Sequence, residues 1–182
     1  MEVDDVQSSQ VASKSMWQVI WNTVLSEFSE ITDLSHFIRI IFRIMLAAIL
    51  GGLLGYDREL KGRTAGLRTH MLVSLGAALF VLIPQQAGAT VADLTNVMHG
   101  LAAGVGFLGA GSIIMGSRQE ETKGMTTAAS IWLTAAIGIA SGMGREVTAI
   151  LSTLLALVIL SFIPKVERLF EIRGKRSQSK LR

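Results

Sequence analysis

Five apolar stretches nearly free of charge decide what this chain can fold into. A bilayer core about 30 Å thick takes roughly 20 helical residues to cross. Inside it, every backbone N–H and C=O must find its partner within the protein. The first stretch runs from Ile38 to Tyr56, the second from Thr69 to Ala87 and the third from Val97 to Gly116. The fourth runs from Met125 to Met143 and the fifth from Val147 to Ile163. Pro84 falls near the end of the second, and Pro164 closes the fifth, where a lost helical hydrogen bond is tolerable. Composition agrees: 50% of the 182 residues are hydrophobic, 17% are charged, and the mean hydropathy is +0.49. Soluble domains carry about a quarter charged residues. The expectation is an all-α membrane protein, a bundle of about five transmembrane helices forming one domain over residues 38–164.

Lys and Arg in the short loops give the bundle a direction. The loop after the first stretch holds Arg58, Lys61, Arg63 and Arg68, whereas Gln85 to Asn96 holds none. Arg118 and Lys123 follow the third stretch, and Arg145 alone follows the fourth. The tail, residues 165–182, carries Lys165, Arg168, Arg173, Lys175, Arg176, Lys180 and Arg182. This alternation puts the N-terminus outside and the basic tail inside, in the cytoplasm. Residues 1–37 fit, with six acidic residues and Lys14 as the one Lys or Arg. Arg39 and Arg43 run against the rule; one turn apart at the outer end of the first span, they are expected to snorkel to headgroups.

Met1 to Val6 is acidic and lacks the positive start and apolar run of a cleaved signal, so none is expected. Residues 1–14 read as disordered, as does the tail after Gly174. Between residues 16 and 34, Trp17, Ile20, Trp21, Val24, Phe28 and Ile31 recur at helical spacing. Gln18, Asn22, Ser26, Glu27 and Glu30 fill much of the other side. That pattern predicts an amphipathic helix, either lying on the outer interface or packed on the bundle or a partner.

Several chemistries are excluded. Without cysteine there is no disulfide, thiolate zinc site, iron–sulfur cluster or thiol nucleophile. A net charge of +3, with no basic stripe interleaved with aromatics, gives no footprint for nucleic acid. No nucleophile–base pair and no set of metal ligands stands out, and no cofactor is expected. No Asp, Glu or Lys lies near the middle of a span, where ion-coupled carriers place ionisable groups. The carboxylates nearest a span, Asp57, Glu59, Asp93 and Glu146, lie at ends.

Gly104-Val105-Gly106-Phe107-Leu108-Gly109 matches the dinucleotide-loop pattern, but it sits mid-span with no strand before it. Packing explains it better, because small residues let membrane helices approach closely. Gly100 and Gly111 extend the same helix, Gly51, Gly52 and Gly55 serve the first span, and Gly138 and Gly142 the fourth. These ten glycines predict a tight bundle or a seam for a second copy or partner. The most polar stretch near the membrane is Tyr56 to His70. Asp57, Arg58, Glu59, Arg68, Thr69 and His70 make it the candidate functional face, an ordinary stop-transfer loop being the plain alternative. His99 reads as an interfacial residue. Thr126, Thr127, Ser130 and Thr134 read as helix-packing hydroxyls.

Four segments together resemble a known family, the MgtC/SapB bacterial inner-membrane proteins. They are Gly55-Tyr56-Asp57-Arg58-Glu59; Ala65-Gly66-Leu67-Arg68-Thr69-His70; Gly104 to Gly111; and Lys123-Gly124-Met125-Thr126-Thr127-Ala128-Ala129 with Trp132. The resemblance covers residues 38–163 and marks Gly66, Leu67, Thr126 and Thr127 as motif positions. It implies five membrane helices and adaptation to low magnesium, acid stress or virulence. It also implies a non-enzymatic protein that modulates another membrane complex, the proton-translocating ATP synthase among them. A magnesium or other cation transporter or channel is the alternative. Many relatives carry an Arg and a Gln where this chain has Asn96 and Gly100. The short tail resembles the family's members without a soluble C-terminal domain. The expected surroundings are lipid and a membrane-protein partner or further copies of the chain.

Overall fold

The computed structural model describes residues 16–27, 34–114 and 121–179. Six helices run through them: α1 (Met16–Glu27), α2 (Leu34–Leu60), α3 (Leu67–Gln86), α4 (Val91–Ile114), α5 (Glu121–Gly142) and α6 (Glu146–Ser179). Five are long and apolar enough to cross a membrane. The expectations for residues 1–14, for Phe28, Glu30 and Ile31, and for Arg118, Lys180 and Arg182 lie outside the described residues, as do the side chains of the tail after Pro164. Two units divide the chain, residues 1–40 and 41–182. In the first, α1 leaves Trp17, Ile20, Trp21 and Val24 exposed. Arg39 bonds back one turn to the Ser35 carbonyl at 3.3 Å.

In the second unit α5 is the central helix: half of its span is buried, against 11% for α4 and 17% for α6. One core joins Leu50 and Leu54 of α2 to Ile137 of α5 and Ala149 and Ala156 of α6. The other joins Ala65, Ala77 of α3 and Val105 of α4 to Ile131 and Ala135 of α5. The buried side of α5 also carries Thr127, Ser130, Thr134 and Ser141. Membrane interiors offer no water, so these hydroxyls turn to their own helix. Thr134 donates to the Ser130 carbonyl at 2.8 Å and Ser141 to that of Ile137 at 3.0 Å. Ser74 on α3 is fully buried, and its hydroxyl has no partner among the described residues.

Helix ends explain where elements begin and stop. α4 starts at Val91, six residues before the apolar stretch, because Thr90 and Asp93 form a capping box. The Thr90 N–H donates to Asp93 Oδ2 at 2.9 Å, and the Asp93 N–H donates to Thr90 Oγ1 at 3.3 Å. Two residues past the ends of α2 and α5, Gly62 and Gly144 take left-handed backbone, and the N–H that follows each reaches back to the carbonyl of Arg58 or Ala140.

Two expectations are corrected. Pro164 does not close the last helix, which continues to Ser179 past Gly174. Proline removes one bond, leaving the Leu160 carbonyl without its helical donor, and Lys61 Nζ donates to that carbonyl at 2.8 Å. Arg43 does not reach for headgroups. Its Nη1 donates to the Gly142 carbonyl at 3.3 Å and to Gln85 Oε1 at 3.4 Å, and its Nε lies 3.8 Å from Glu146. A carbonyl at the negative end of α5 is a better acceptor than distant lipid.

Candidate functional site

The site lies where α2 ends, α3 begins and α5 approaches. Gly55 brings the first two together. A Cβ there would stand 2.7 Å from Leu67 Cα and 3.0 Å from His70 Cβ, so only glycine admits the start of α3 at this depth. One turn earlier, a Cβ at Gly51 would stand 2.6 Å from the His70 carbonyl. Glu59 then reaches across the loop, and its Oε2 accepts the Leu67 N–H at 2.8 Å. Gly66 at the N-cap supplies no side-chain oxygen, and a Cβ on it would lie 2.7 Å from that same carboxylate. Glu59 thus caps α3 from outside it, where a negative charge is favoured.

Asp57 and Arg58 form the second layer. Arg58 is 1% exposed. Its Nη2 donates to Asp57 Oδ2 at 2.7 Å and its Nε at 3.2 Å. Lys61 lies one turn on, 2.7 Å from Asp57 Oδ1. Ser161 of α6 donates to the same oxygen at 3.1 Å. The Asp57 carboxylate is therefore enclosed by two cations and a hydroxyl, and Lys61 ties it to the Leu160 carbonyl above Pro164.

His70 forms the third layer, fully buried on the α3 face that meets α5. Its Nδ1 donates to the Gly66 carbonyl at 2.9 Å, and its Nε2 lies 3.2 Å from Ser130 Oγ of α5. Ser130 Oγ is also 2.7 Å from the Thr127 carbonyl. Its one proton serves either the imidazole or that carbonyl.

The structure brings Asp57, Arg58, Glu59, Gly66, Leu67 and His70 together, with Thr127 buried nearby on α5. Arg68 and Thr69 face outward, and Thr126 is half-buried. Lys61, Ser130 and Ser161 belong to the site although sequence alone did not select them. The spacing of Asp57 and Lys61, four apart on a helix, was the available signal; nothing in sequence linked Ser161 to them. No group of three or more His, Asp or Glu able to hold a metal ion occurs among the described residues.

The glycines fall into two sets. Gly51, Gly52, Gly55, Gly109, Gly138 and Gly142 meet neighbouring helices. A Cβ at Gly138 would collide with the Ser74 carbonyl, and one at Gly109 would sit 3.3 Å from Ala128. Gly100, Gly104, Gly106 and Gly111 have nothing within 4 Å of a Cβ. Gly100, Gly104, Phe107 and Gly111 recur at helical spacing, so they share one outward face of α4. His99 is exposed nearby. Gly100 and Gly104 open onto a groove of about 660 Å³ between α3 and α4, lined also by Leu72, Gly76, Phe80 and Leu108.

The segments that build this site are also those that relate the chain to known proteins. The MgtC family model matches residues 44–169. This chain belongs to the MgtC family. Protein SrpB of Synechococcus elongatus is 41% identical over 72% of the chain and 79% of its own length. YhiD of Escherichia coli is 40% identical over 66% of the chain, and Protein MgtC of Brucella abortus 34% over 71%. The chain spans only 58% of YhiD and 53% of that MgtC. No solved structure matches it. Family membership and five long apolar helices make it a multi-pass bacterial membrane protein with a magnesium-related family background. The match to residues 44–169 takes in every residue of the site, from Asp57 to Ser161, whereas α1 lies before it.

Proposed function

We propose that this MgtC-family protein is a non-enzymatic component of the inner membrane that modulates another membrane complex through helix–helix contact. The observation that carries this reading is the face of α4 where a Cβ on Gly100, Gly104 or Gly111 would meet nothing within 4 Å, the first two opening onto the groove beside α3. Small residues on a membrane helix are of use where a second backbone comes close. The charged cluster is occupied with holding the chain together: Asp57 with Arg58, Lys61 and Ser161, and Glu59 with the start of α3. A transport site would need carboxylates free to bind and release a cation.

The family resemblance makes the proton-translocating ATP synthase the first complex to test. Protein purified in native lipid discs is expected to retain a membrane-protein partner, and Gly104→Leu is expected to lose it while keeping its unfolding midpoint. No partner, together with unchanged ATP synthesis in membranes lacking the protein, would defeat the reading. YhiD is named as a candidate magnesium transporter. Cation-selective uptake into proteoliposomes, abolished by Asp57→Asn in protein that still folds, would put transport in place of modulation. The topology proposed with it has the N-terminus in the periplasm and the loop at 61–66 in the cytoplasm. A reporter fused near Ala89 should behave as external and one after Arg182 as cytoplasmic.

A further inference from the structure

Among the described helices α1 alone is too short to cross a bilayer. Its 12 residues, Met16–Glu27, extend about 18 Å at 1.5 Å each, against a core of about 30 Å. Residues four apart lie above one another on a helix, so the sequence divides into rows. Met16, Ile20 and Val24 form one row, and Trp17, Trp21 and Leu25 form the next. Gln18, Asn22 and Ser26 form the third, and Val19, Thr23 and Glu27 the last. Two adjoining rows are thus wholly apolar. Every residue from 16 to 26 is exposed, Trp17 at 77% and Trp21 at 64%. A continuous apolar face of this kind marks a surface that something covers.

The place of α1 in the chain points to the occupant. α2 begins after six residues, and the seven Cα–Cα steps from Glu27 to Leu34 reach at most about 25 Å. α2 is a candidate span of 27 residues, about 40 Å long, so its ends stand among headgroups rather than in the core. Its first turns agree: Ser35, His36 and Arg39 are polar, and Arg39 donates to the Ser35 carbonyl at 3.3 Å. α1 is therefore held within one short tether of a lipid surface. Tryptophan settles at this depth, with its ring against the acyl boundary and its N–H toward water. One feature sets α1 apart from most interfacial helices, which carry Lys and Arg on the polar face. α1 has neither, and Glu27 is its one charged residue. Residues 1–33 hold six carboxylates against Lys14, so acidic headgroups offer this segment no attraction.

We propose that α1 lies flat in the headgroup boundary of the leaflet where α2 starts, with Trp17 and Trp21 roughly 5–10 Å deep, and that apolar burial alone holds it there. α1 lies before residues 44–169 of the family match, and the inference stands or falls apart from the modulation reading. The test uses the full chain with Trp132→Phe, which leaves Trp17 and Trp21 as the reporters among its three tryptophans. If that variant does not fold, Trp17→Phe/Trp21→Phe protein supplies the Trp132 signal for subtraction. The vesicles are phosphatidylcholine brominated near either the glycerol end or the methyl end of its chains, with and without phosphatidylglycerol. Shallow bromines are expected to quench at least about twofold more than deep ones. The ratio should not change with phosphatidylglycerol or with high salt. Ile20→Glu/Val24→Glu should abolish the shallow quenching, while Asn22→Glu on the polar row should leave it intact. Stronger quenching by deep bromines overturns the flat orientation. Quenching by aqueous acrylamide with none by lipid puts α1 in water and overturns the lipid occupant. Protection from both overturns it too, in favour of a second copy or a protein partner. Quenching by lipid only when phosphatidylglycerol is present overturns attachment by apolar burial alone. Equal quenching in wild type and Ile20→Glu/Val24→Glu overturns the assigned face.

Discussion

α4 and α5 both carry glycines four apart, Gly100 and Gly104 on one and Gly138 and Gly142 on the other. On α5 they receive α3: a Cβ at Gly138 or Gly142 would run into the Ser74 or Ala78 backbone. On α4 a Cβ at either would meet none of the described residues within 4 Å. The same residue type thus serves two purposes, closing the fold in one helix and leaving a surface in the other. α5 is the most enclosed of the described spans, half of it buried, with α3, α4 and α6 all packed on it. α4 buries Leu94, Val105 and Gly109 and packs Leu101 on the second core, but leaves most of its span exposed.

Substitutions can break this contrast in order of size. Gly138→Ala should cost about 3 kcal/mol, because its methyl group meets backbone, which cannot swing aside; denaturation in mild detergent would measure it. Next comes Lys61→Ala, about 1 kcal/mol, by removing the donor to the Leu160 carbonyl. In a Pro164→Ala background that cost should shrink, since residue 164 then supplies its own N–H; an unchanged cost would refute the link between Lys61 and the proline. Ser130→Ala should cost about 0.6 kcal/mol through its contact with His70, as such bonds between membrane helices usually do. Gly104→Ala should stay within about 0.5 kcal/mol of wild type. A large loss there would mean that α4 packs against something in the isolated protein, and the contrast would fail.

Asp57, Glu59 and His70 were visible in sequence as polar groups at the edge of two spans. Their roles were not. Glu59 acts as a cap because Gly66 lacks a side chain in its way. Asp57 meets Ser161 across 104 positions of chain, a pairing no local pattern encodes. Arg43 looked like an anchor for headgroups, but the end of α5 passes within its reach. The early start of α4 was legible in Thr90 and Asp93, and counting apolar residues passed over it.

By itself, the sequence determined the helices and their number, because a bilayer admits few other ways to satisfy five long apolar segments. The alternating loop charges also gave a testable direction of insertion. Tertiary structure decided which faces meet. Glycine marks where helices are able to approach, but whether one arrives depends on the packing of all the others. That is why Gly138 is sealed against α3 while Gly104 faces outward.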